Sequence, residues 1–290
     1  MMKHGWLIYS RTDIKQNKSY INWFIEEANS QNLSLELIVR DELTIGIINN
    51  KRSIYLKNKK IKPPDYAIIR TIEPLLNLHL EACGIRVFNN SYIARICNDK
   101  ALTHHYMLDF DIPMVNTVFF KKHTMPLTSP LSYPCIIKET TGKGGMQVYY
   151  IKDKHNWQNQ MESLSTSDFI VQSCDVQLGK DIRVFVVGKE IIGAVMRYST
   201  SDFRANYKLG GSVSLYNLTK QDADMIEKII SHFDFGMVGI DFLIGKNGEL
   251  LFNEIEDVVG SRTLSVVSNL NILQTYVTHI KSELRKRDIN

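Results

Sequence analysis

Apolar and polar positions along the chain alternate between the period of a strand and the period of a helix. Before residue 95, short apolar runs predict strands, and apolar positions repeated at helical spacing predict helices. The predicted strands are 6–9, 33–39, 45–48, 53–56, 66–69 and 85–88, and the predicted helices are 19–31 and 73–82. Strands that alternate with helices in this way predict a small α/β domain with a mainly parallel sheet.

After residue 95 the pattern predicts more strands than helices. Residues 91–109 have helical spacing with an interruption near Asn98, and Thr219 followed by Asp222 predicts a helix start. The predicted strands are 115–120, 169–173, 180–187, 190–196, 238–244 and 249–256. Two further strands are predicted within 134–151, one on each side of a glycine-rich loop. The predicted helices are 156–164, 219–233, 261–269 and 272–287.

The predicted hairpin at 238–256 places acidic residues inside apolar strands. Its turn contains Asn247-Gly248, and Glu254 and Glu256 share one strand face, with Asp241 opposite them if the register is simple. Three converging carboxylates repel one another unless a cation lies among them, and hard oxygen ligands favour Mg²⁺ shared with phosphate. The alternative is an edge hairpin whose carboxylates face solvent.

A second candidate for phosphate binding is a lysine that precedes a glycine-rich loop. Lys138 interrupts an apolar strand, and Gly142, Gly144 and Gly145 allow backbone N–H groups to close around an anion. The loop matches neither the P-loop pattern nor the dinucleotide-binding pattern. The alternative is an edge-strand lysine before an ordinary turn. We favour a flap that covers phosphate groups.

Arginines mark two further candidate sites. Arg70 ends an apolar strand, where a guanidinium could hold a substrate carboxylate, although a surface arginine with a local partner is the alternative. The segment 202–213 carries Arg204 and Asn206 before Gly210-Gly211. It is cationic and rich in hydrogen-bond donors, and an ordinary surface loop is its alternative.

Composition limits the class of protein. A length of 290 residues predicts about two domains, with room for three, and a net charge of +4 suits an anionic substrate without requiring nucleic acid. No apolar run approaches a membrane helix, and the first apolar run is too short for a signal peptide. The four cysteines contain no CxxC pair, as expected for reduced thiols. We therefore expect a cytoplasmic protein that binds neither membrane nor nucleic acid.

The order of these features resembles that of ATP-grasp enzymes, and most closely that of the RimK-type α-L-glutamate ligases and their lysine-biosynthesis relatives. The resemblance covers nearly the whole chain and is strongest over 85–260. It implies a three-domain α/β (α+β) architecture that begins with a Rossmann-like domain. The implied domains are an N-terminal domain at 1–95, a central domain with the flap at 96–174, and a C-terminal domain with the metal site at 175–290.

The resemblance also implies roles for individual residues. Nucleotide phosphates would contact Lys100, Lys138 and the flap, and a hinge strand would read adenine largely through backbone groups at Gln172, Ser173 and Cys174. Asp181 would lie near the ribose, Arg197 and Asn206 would meet the γ-phosphate and metals, and Arg204 would meet a substrate or intermediate. Asp241 and Glu254, with Glu256, would hold two Mg²⁺ ions, with Mn²⁺ as an alternative. Arg70, Arg183 and Arg262 are the expected substrate residues.

This sequence departs from the family pattern just after the metal acids. Glu256 stands where the family usually has asparagine, and Val259-Gly260 stands where Pro-Gly is usual. The extra carboxylate should strengthen cation binding and reduce the attraction for phosphate. Because these positions often border the substrate, glutamate is not carried over as the substrate.

The resemblance implies an enzyme of the acid–amino-acid or acid–peptide ligase type. ATP would phosphorylate a carboxylate to an acylphosphate, an amine would attack it, and ADP and phosphate would leave as the amide forms. The acid and the amine are left open, as is assembly into a homodimer or homotetramer. Two other classes are weighed: an ATP-grasp kinase or phosphotransferase that stops after phosphoryl transfer, and a nucleotide-binding module without turnover.

Overall fold

The N-terminal part of the chain forms one parallel sheet and one small antiparallel sheet. The computed structural model describes residues 2–142, 147–164, 168–205 and 210–289. The parallel sheet has the order β2-β1-β6-β7 and the antiparallel sheet the order β3-β4-β5. The elements are β1 (Lys3–Tyr9), α1 (Arg11–Ser30), β2 (Leu33–Val39), a 3₁₀ turn (Arg40–Glu42), β3 (Leu43–Ile48), β4 (Lys51–Leu56), β5 (Lys59–Lys60), β6 (Tyr66–Ile69), α2 (Pro74–Ala82) and β7 (Arg86–Phe88).

Two antiparallel sheets follow, with the orders β10-β9-β11-β8 and β14-β13-β12-β15-β16. The first is built from β8 (Thr117–Lys121), β9 (Cys135–Glu139), β10 (Val148–Ile151) and β11 (Asp168–Ser173), with α3 (Ser91–Cys97), α4 (Lys100–Asp109), a 3₁₀ turn (Lys122–Thr124) and α5 (Lys154–Ser163) around it. The second is built from β12 (Val176–Val187), β13 (Glu190–Tyr198), β14 (Ser212–Leu215), β15 (Met237–Gly245) and β16 (Leu250–Glu256), with α6 (Lys220–Ser231), α7 (Arg262–Val267) and α8 (Ile272–Ile289).

The structure confirms the mixed α/β class and most predicted elements. The interruption near Asn98 separates α3 from α4, and α6 begins with the predicted cap, in which Thr219 and Asp222 bond to each other's backbone N–H. The start of α1 was predicted wrongly. It begins at Arg11 because Ser10 accepts a hydrogen bond from the backbone N–H of Asp13, a cap that precedes the apolar repeat. The domain boundaries and the Rossmann-like character of the first sheet remain predictions.

Strand β12 lies at the centre of the five-stranded sheet, and both of its faces are buried. Ile182, Val184 and Val186 pack in one cluster with α6, whereas Phe185 and Val187 pack in another with α1 and α8. A strand covered on both faces has a continuous apolar run, and for that reason the sequence here does not alternate. The charged residues that precede this run are thereby held at one end of a rigid strand.

A buried asparagine joins the N-terminal part to the hairpin formed by β15 and β16. The side-chain amide of Asn89 donates to the carbonyl oxygens of Met237 and Asp257, each at 3.0 Å, and its oxygen accepts from the backbone N–H of Gly236 at 2.6 Å. One side chain therefore holds the beginning of β15 and the end of β16. Among the described residues, none of the helices combines the length and apolar character needed to cross a membrane.

Candidate active site

A cavity between the two antiparallel sheets that follow α4 gathers most of the predicted site residues. Those that line it are Lys100, Lys138, Gly142, Gln172, Ser173, Asp181, Arg183, Arg197, Arg204, Asp241, Glu254 and Glu256. Three predicted residues, Gly144, Gly145 and Asn206, lie outside the residues that the structure describes. The remaining three, Arg70, Cys174 and Arg262, are described but do not line this cavity.

Three carboxylates converge in the cavity, as the hairpin pattern predicts. Ligand oxygens of Asp241, Glu254 and Glu256 lie within 4.8 Å of one another. Asp241 pairs with Glu254 across the two strands, and the register shifts between Asp241 and Phe242. Asp241 is only 1% exposed and lies on an inner strand of the sheet, so the solvent-facing alternative is wrong for this residue. The cluster has the donor type that Mg²⁺ prefers.

Two buried arginines neutralise these acids in the structure. Arg183 donates to both oxygens of Asp241 at 2.7 and 2.6 Å and lies 2.9 Å from Glu256. Arg197 donates to both oxygens of Asp181 at 2.6 and 2.8 Å and to Asp241 at 2.8 Å. Burial opposes ionisation of Asp241, but the two guanidinium groups outweigh it and lower the pKa of this carboxyl below its ordinary value.

These ion pairs bear on three predicted roles. Asp181, Arg183 and Arg197 are expected to contact ribose, substrate and γ-phosphate, respectively, yet here they bind protein groups. Any such contact requires the ion pairs to be shared with the ligand or exchanged for it. The roles remain predictions, and the structure adds that the groups are held in a preformed network.

Two lysines extend the network toward Gly142, where the predicted flap begins. Lys100 Nζ donates to the carbonyl oxygen of Gly142 at 2.7 Å and lies 3.3 Å from Glu254. Lys138 Nζ donates to Asn253 Oδ1 at 2.6 Å. Its strand, β9, lies between β10 and β11, so the edge-strand alternative is wrong. Burial lowers the pKa of Lys138 to about 8.

If Lys138 contacts the nucleotide phosphates, as the resemblance implies, its pKa predicts how nucleotide binding depends on pH. Since the ammonium group loses its proton as the pH rises past about 8, we expect the KM for ATP to rise up to about tenfold per pH unit above that value. The measurement is initial velocity against ATP concentration from about pH 6.5 to 9.5. Lys138→Arg, which stays charged throughout, should remove the rise; an unchanged rise in this variant would assign it to another group.

Two of the three residues of the predicted hinge strand lie at the cavity. Gln172 and Ser173 line the cavity, whereas Cys174 does not. The side-chain nitrogen of Gln172 contacts Thr117 Oγ1 at 3.1 Å and His104 Nε2 at 3.0 Å, so this amide faces the protein interior. Reading of a base through the backbone of this strand remains a prediction.

His104 has a structural role, as its helical context indicates. Its Nδ1 donates to the carbonyl oxygen of Lys100 at 2.6 Å, and burial lowers its pKa to about 4. Because this value lies below the 6.5 of the unfolded chain, the unfolded state binds the proton first as the pH falls. Stability is full above pH 6.5 and should decrease toward pH 4 by about 3 kcal/mol.

Urea unfolding at a series of pH values measures this loss. His104→Phe should flatten the acid side of the stability profile, because the group that titrates is gone. The matched control is His105→Gln at the exposed neighbouring position, which should keep the wild-type profile. An unchanged acid slope in His104→Phe would contradict the assignment.

Arg204, expected to meet a substrate or intermediate, and two of the expected substrate arginines, Arg70 and Arg262, occupy different environments. Arg204 pairs with Asp202 at 2.7 Å at the cavity wall. Arg262 donates to the carbonyl oxygen of Gln16 and to Asn17 Oδ1, at 2.8 and 2.9 Å, on α1. Arg70 is buried beneath α1 and donates to the carbonyl oxygen of Val259 at 2.7 Å. Arg70 and Arg262 therefore contact the seam between the N-terminal part and the segment after β16.

Sequence reasoning missed the apolar wall of the cavity and one polar partner. Ile136, Val148, Leu243 and Phe203 line the cavity, and Asn253 binds Lys138. Strand alternation contained the signal for two of them. Ile136 precedes Lys138 by two positions and Leu243 follows Asp241 by two, so each shares the face of a predicted charged residue. The cavity therefore combines a charged floor with apolar walls.

Comparison with known proteins places this site in context. The model of a family described as the RimK-like ATP-grasp domain matches residues 97–280. The chain is 27% identical to glutamate–LysW ligase ArgX of Sulfurisphaera tokodaii, over 88% of this chain and 95% of that protein. It is 25% identical to N-acetylaspartylglutamate synthase A of Homo sapiens, over 85% of this chain and 68% of that protein.

A solved structure supports the same fold. The crystal structure of VanG D-Ala:D-Ser ligase from Enterococcus faecalis superposes with a TM-score of 0.77 at 15% identity, covering 97% of this chain and 99% of that chain. At this identity the likeness shows the shared fold.

Proposed function

This chain belongs to the RimK-like ATP-grasp family and is an ATP-dependent ligase that forms an amide bond, and from this premise we propose how its residues carry out the reaction. The observation that carries the proposal is the convergence of three carboxylates and two lysines in one cavity. Asp241, Glu254 and Glu256 would hold two Mg²⁺ ions, which neutralise charge on the phosphates when bound. Lys100 and Lys138 would contact the phosphate oxygens.

The proposed reaction has two steps. In the first, an oxygen of the substrate carboxylate attacks the γ-phosphorus of ATP, the bond from phosphorus to the β,γ-bridging oxygen breaks, and ADP leaves. In the second, the amine nitrogen attacks the acyl carbon of the acylphosphate, phosphate leaves with the carbon–oxygen bond electrons, and the nitrogen loses a proton. The chain positions the reactants and neutralises charge, which is the main protein contribution in phosphoryl transfer.

The ion pairs suit this task because they fix the charged groups before ATP arrives. Arg197 and Arg183 are held by carboxylates at 2.6–2.9 Å, so their positions cost little further reorganisation. Arg197 would turn part of its guanidinium toward the γ-phosphate, and Asp181 would then be available to the ribose. The flap that begins near Gly142, which Lys100 holds, would exclude water from the acylphosphate.

The substrates are proposed by class. The two relatives compared above are named for ligation of glutamate to LysW and for synthesis of N-acetylaspartylglutamate, and the solved neighbour for joining D-Ala to D-Ser. All three names contain amino acids. We therefore propose that at least one substrate of this chain is an amino acid, free or at the end of a peptide, and that the other is a carboxylate or amine of similar size.

Phosphate release from Mg-ATP tests this proposal. The full chain is incubated with a matrix of amino acids and short peptides, and each positive well is examined by mass spectrometry. A product at the summed mass minus water supports the ligase and identifies both substrates. Phosphate release without such a product in any well would contradict amide formation and indicate that water hydrolyses the acylphosphate or ATP, whereas ADP with a phosphorylated acceptor would favour phosphoryl transfer alone. Glu254→Gln serves as the control that attributes the release to this cavity.

A further inference from the structure

A buried guanidinium at the seam beside the active site lacks an acidic partner. Arg70 is 6% exposed, and no carboxylate in the described part of the chain forms an ion pair with it. One nitrogen donates to the carbonyl oxygen of Val259, while Nε has no hydrogen-bond partner among the residues that the structure describes. The guanidinium carbon lies 5.9 Å from the ring centres of both Tyr9 and Tyr20. Burial of a cation without an anion is unfavourable, so an unpaired arginine at this position suggests that a ligand supplies the anion.

Two hydroxyl groups beside this arginine are also buried and unsatisfied. Within the described part of the chain, the hydroxyl oxygens of Tyr20 and Ser261 have no partner that meets hydrogen-bond geometry, and these residues are 9% and 1% exposed. Burial raises the pKa of the Tyr20 phenol, and this shift is opposed by the charge of Arg70 and by a contact with the Ser261 hydroxyl that is too weak to count as a hydrogen bond by geometry. Unpaired buried donors are rare in native proteins because each costs the hydration it has lost.

Residues close in the chain to Arg70 and Ser261 line a small cavity that borders the active site. The chain continues from Arg70 to Ile72, and Ile72 lines a small cavity together with Val258. Lys100, Gly142, Glu254 and Glu256 border both this cavity and the larger one. A molecule that extends from the three carboxylates toward the N-terminal part therefore contacts residues next to Arg70 and Ser261 in the chain.

We propose that Arg70, Tyr20 and Ser261 form a subsite that binds a second, non-reacting carboxylate of a substrate. The inference rests on the proposed ligase function and adds a requirement for its substrate. A guanidinium edge and two hydroxyl groups are three donors suited to one carboxylate, and one negative charge balances the single cation. The two tyrosine rings beside the guanidinium limit access of water and strengthen that contact.

A purely structural role for the hydroxyl groups makes the opposite prediction. If Tyr20 and Ser261 serve packing alone, then Tyr20→Phe and Ser261→Ala remove unpaired polar atoms and should leave activity unchanged. If they bind carboxylate, both variants keep or exceed the wild-type melting temperature but lose about tenfold in kcat/KM, mainly through KM. The matched control is Tyr66→Phe, which removes a hydroxyl bonded to the carbonyl oxygen of Ser34 and should lower stability without changing kcat/KM.

The decisive comparison pairs each active substrate with an analogue amidated at the carboxylate that does not react. Wild-type enzyme should prefer the free acid by about 100-fold in kcat/KM, and Tyr20→Phe and Ser261→Ala should narrow this preference. The acid substrate and the amine substrate are amidated in separate experiments. The substrate whose amidation lowers kcat/KM is the one that carries the carboxylate bound in the subsite. Equal use of acid and amide by the wild type would overturn the subsite.

A binding measurement without ATP separates this inference from the ligase proposal. The melting temperature of the full chain is measured with glutamate, aspartate and their carboxamides as probes. Stabilisation by an acid but not its amide, lost in Ser261→Ala, supports the subsite even if no ligation is found. If the wild type forms the amide product but shows no preference for acids over their amides, in kcat/KM or in melting temperature, the subsite is overturned and the ligase proposal stands.

Discussion

Replacing Glu254 with glutamine is expected to lower turnover by about 1,000-fold while the chain stays folded. Glu254 contributes an oxygen to the carboxylate cluster, so loss of its charge should weaken the cation site that we propose there. Among the described residues its ion pair is with Lys100 at 3.3 Å, and its side chain is 26% exposed. A partly exposed pair of this kind contributes little to folding. The measurement is kcat at saturating Mg-ATP, with thermal unfolding beside it.

The matched control for Glu254→Gln is Glu249→Gln. Glu249 lies in the turn of the same hairpin, where it is exposed and accepts from the backbone N–H of Asn247. The same chemical change there should leave turnover unchanged. A folded Glu254→Gln enzyme with wild-type turnover would remove Glu254 from the metal site, and the assignment of Asp241 and Glu256 would then need separate support.

The second large effect is expected from Asp241→Asn, which should lower the stability of the fold as well as the activity. Arg183 and Arg197 are 8% and 7% exposed, and both donate to Asp241. Asparagine preserves the shape of the side chain but leaves two buried cations with one fewer anion. We expect the free energy of unfolding to fall by about 3–5 kcal/mol, measured by urea denaturation at neutral pH.

A double variant shows whether the loss comes from the unpaired charge. Arg183→Met added to Asp241→Asn should recover part of the lost stability, because an apolar side chain then replaces an uncompensated cation. Asp202→Asn is the control, since its pair with Arg204 is partly exposed and its loss should cost less than about 1 kcal/mol. An Asp241→Asn protein as stable as wild type would show that the arginines do not depend on this carboxylate.

The sequence was sufficient to predict the hairpin that carries the three carboxylates because its information is local. A two-residue strand period places Glu254 and Glu256 on one strand face, and the predicted hairpin brings Asp241 opposite them. In the structure the register shift between Asp241 and Phe242 aligns Asp241 with Glu254, so the convergence also depends on an irregularity that the pattern does not contain. The same reasoning identified Lys138 as exceptional in an apolar strand. Family resemblance then supplied the order of elements that places these residues around one cavity.

The ion pairs could not be predicted in this way. Arg183 and Asp241 are 58 positions apart, and Arg197 and Asp181 belong to neighbouring strands whose register is set by the whole sheet. Two arginines and two carboxylates allow several pairings, and the hydrophobic pattern does not choose among them. The partner of Lys138 was missed for the same reason, since Asn253 lies where the register between β15 and β16 shifts.

Asn89 has a consequence for how this protein can be recombined with its relatives. Its amide satisfies three backbone groups of the hairpin, at Gly236, Met237 and Asp257, from a position just after β7. In a chimera joined before Asn89, the asparagine and the hairpin come from the same parent protein. In a chimera joined after Asn89, the hairpin comes from one parent and residue 89 from the other, so that other parent must also carry an asparagine there. Crossover points that give stable chimeras should therefore lie before Asn89. Thermal unfolding of paired chimeras joined just before and just after this residue tests the expectation, and the chimera joined before it should have the higher melting temperature.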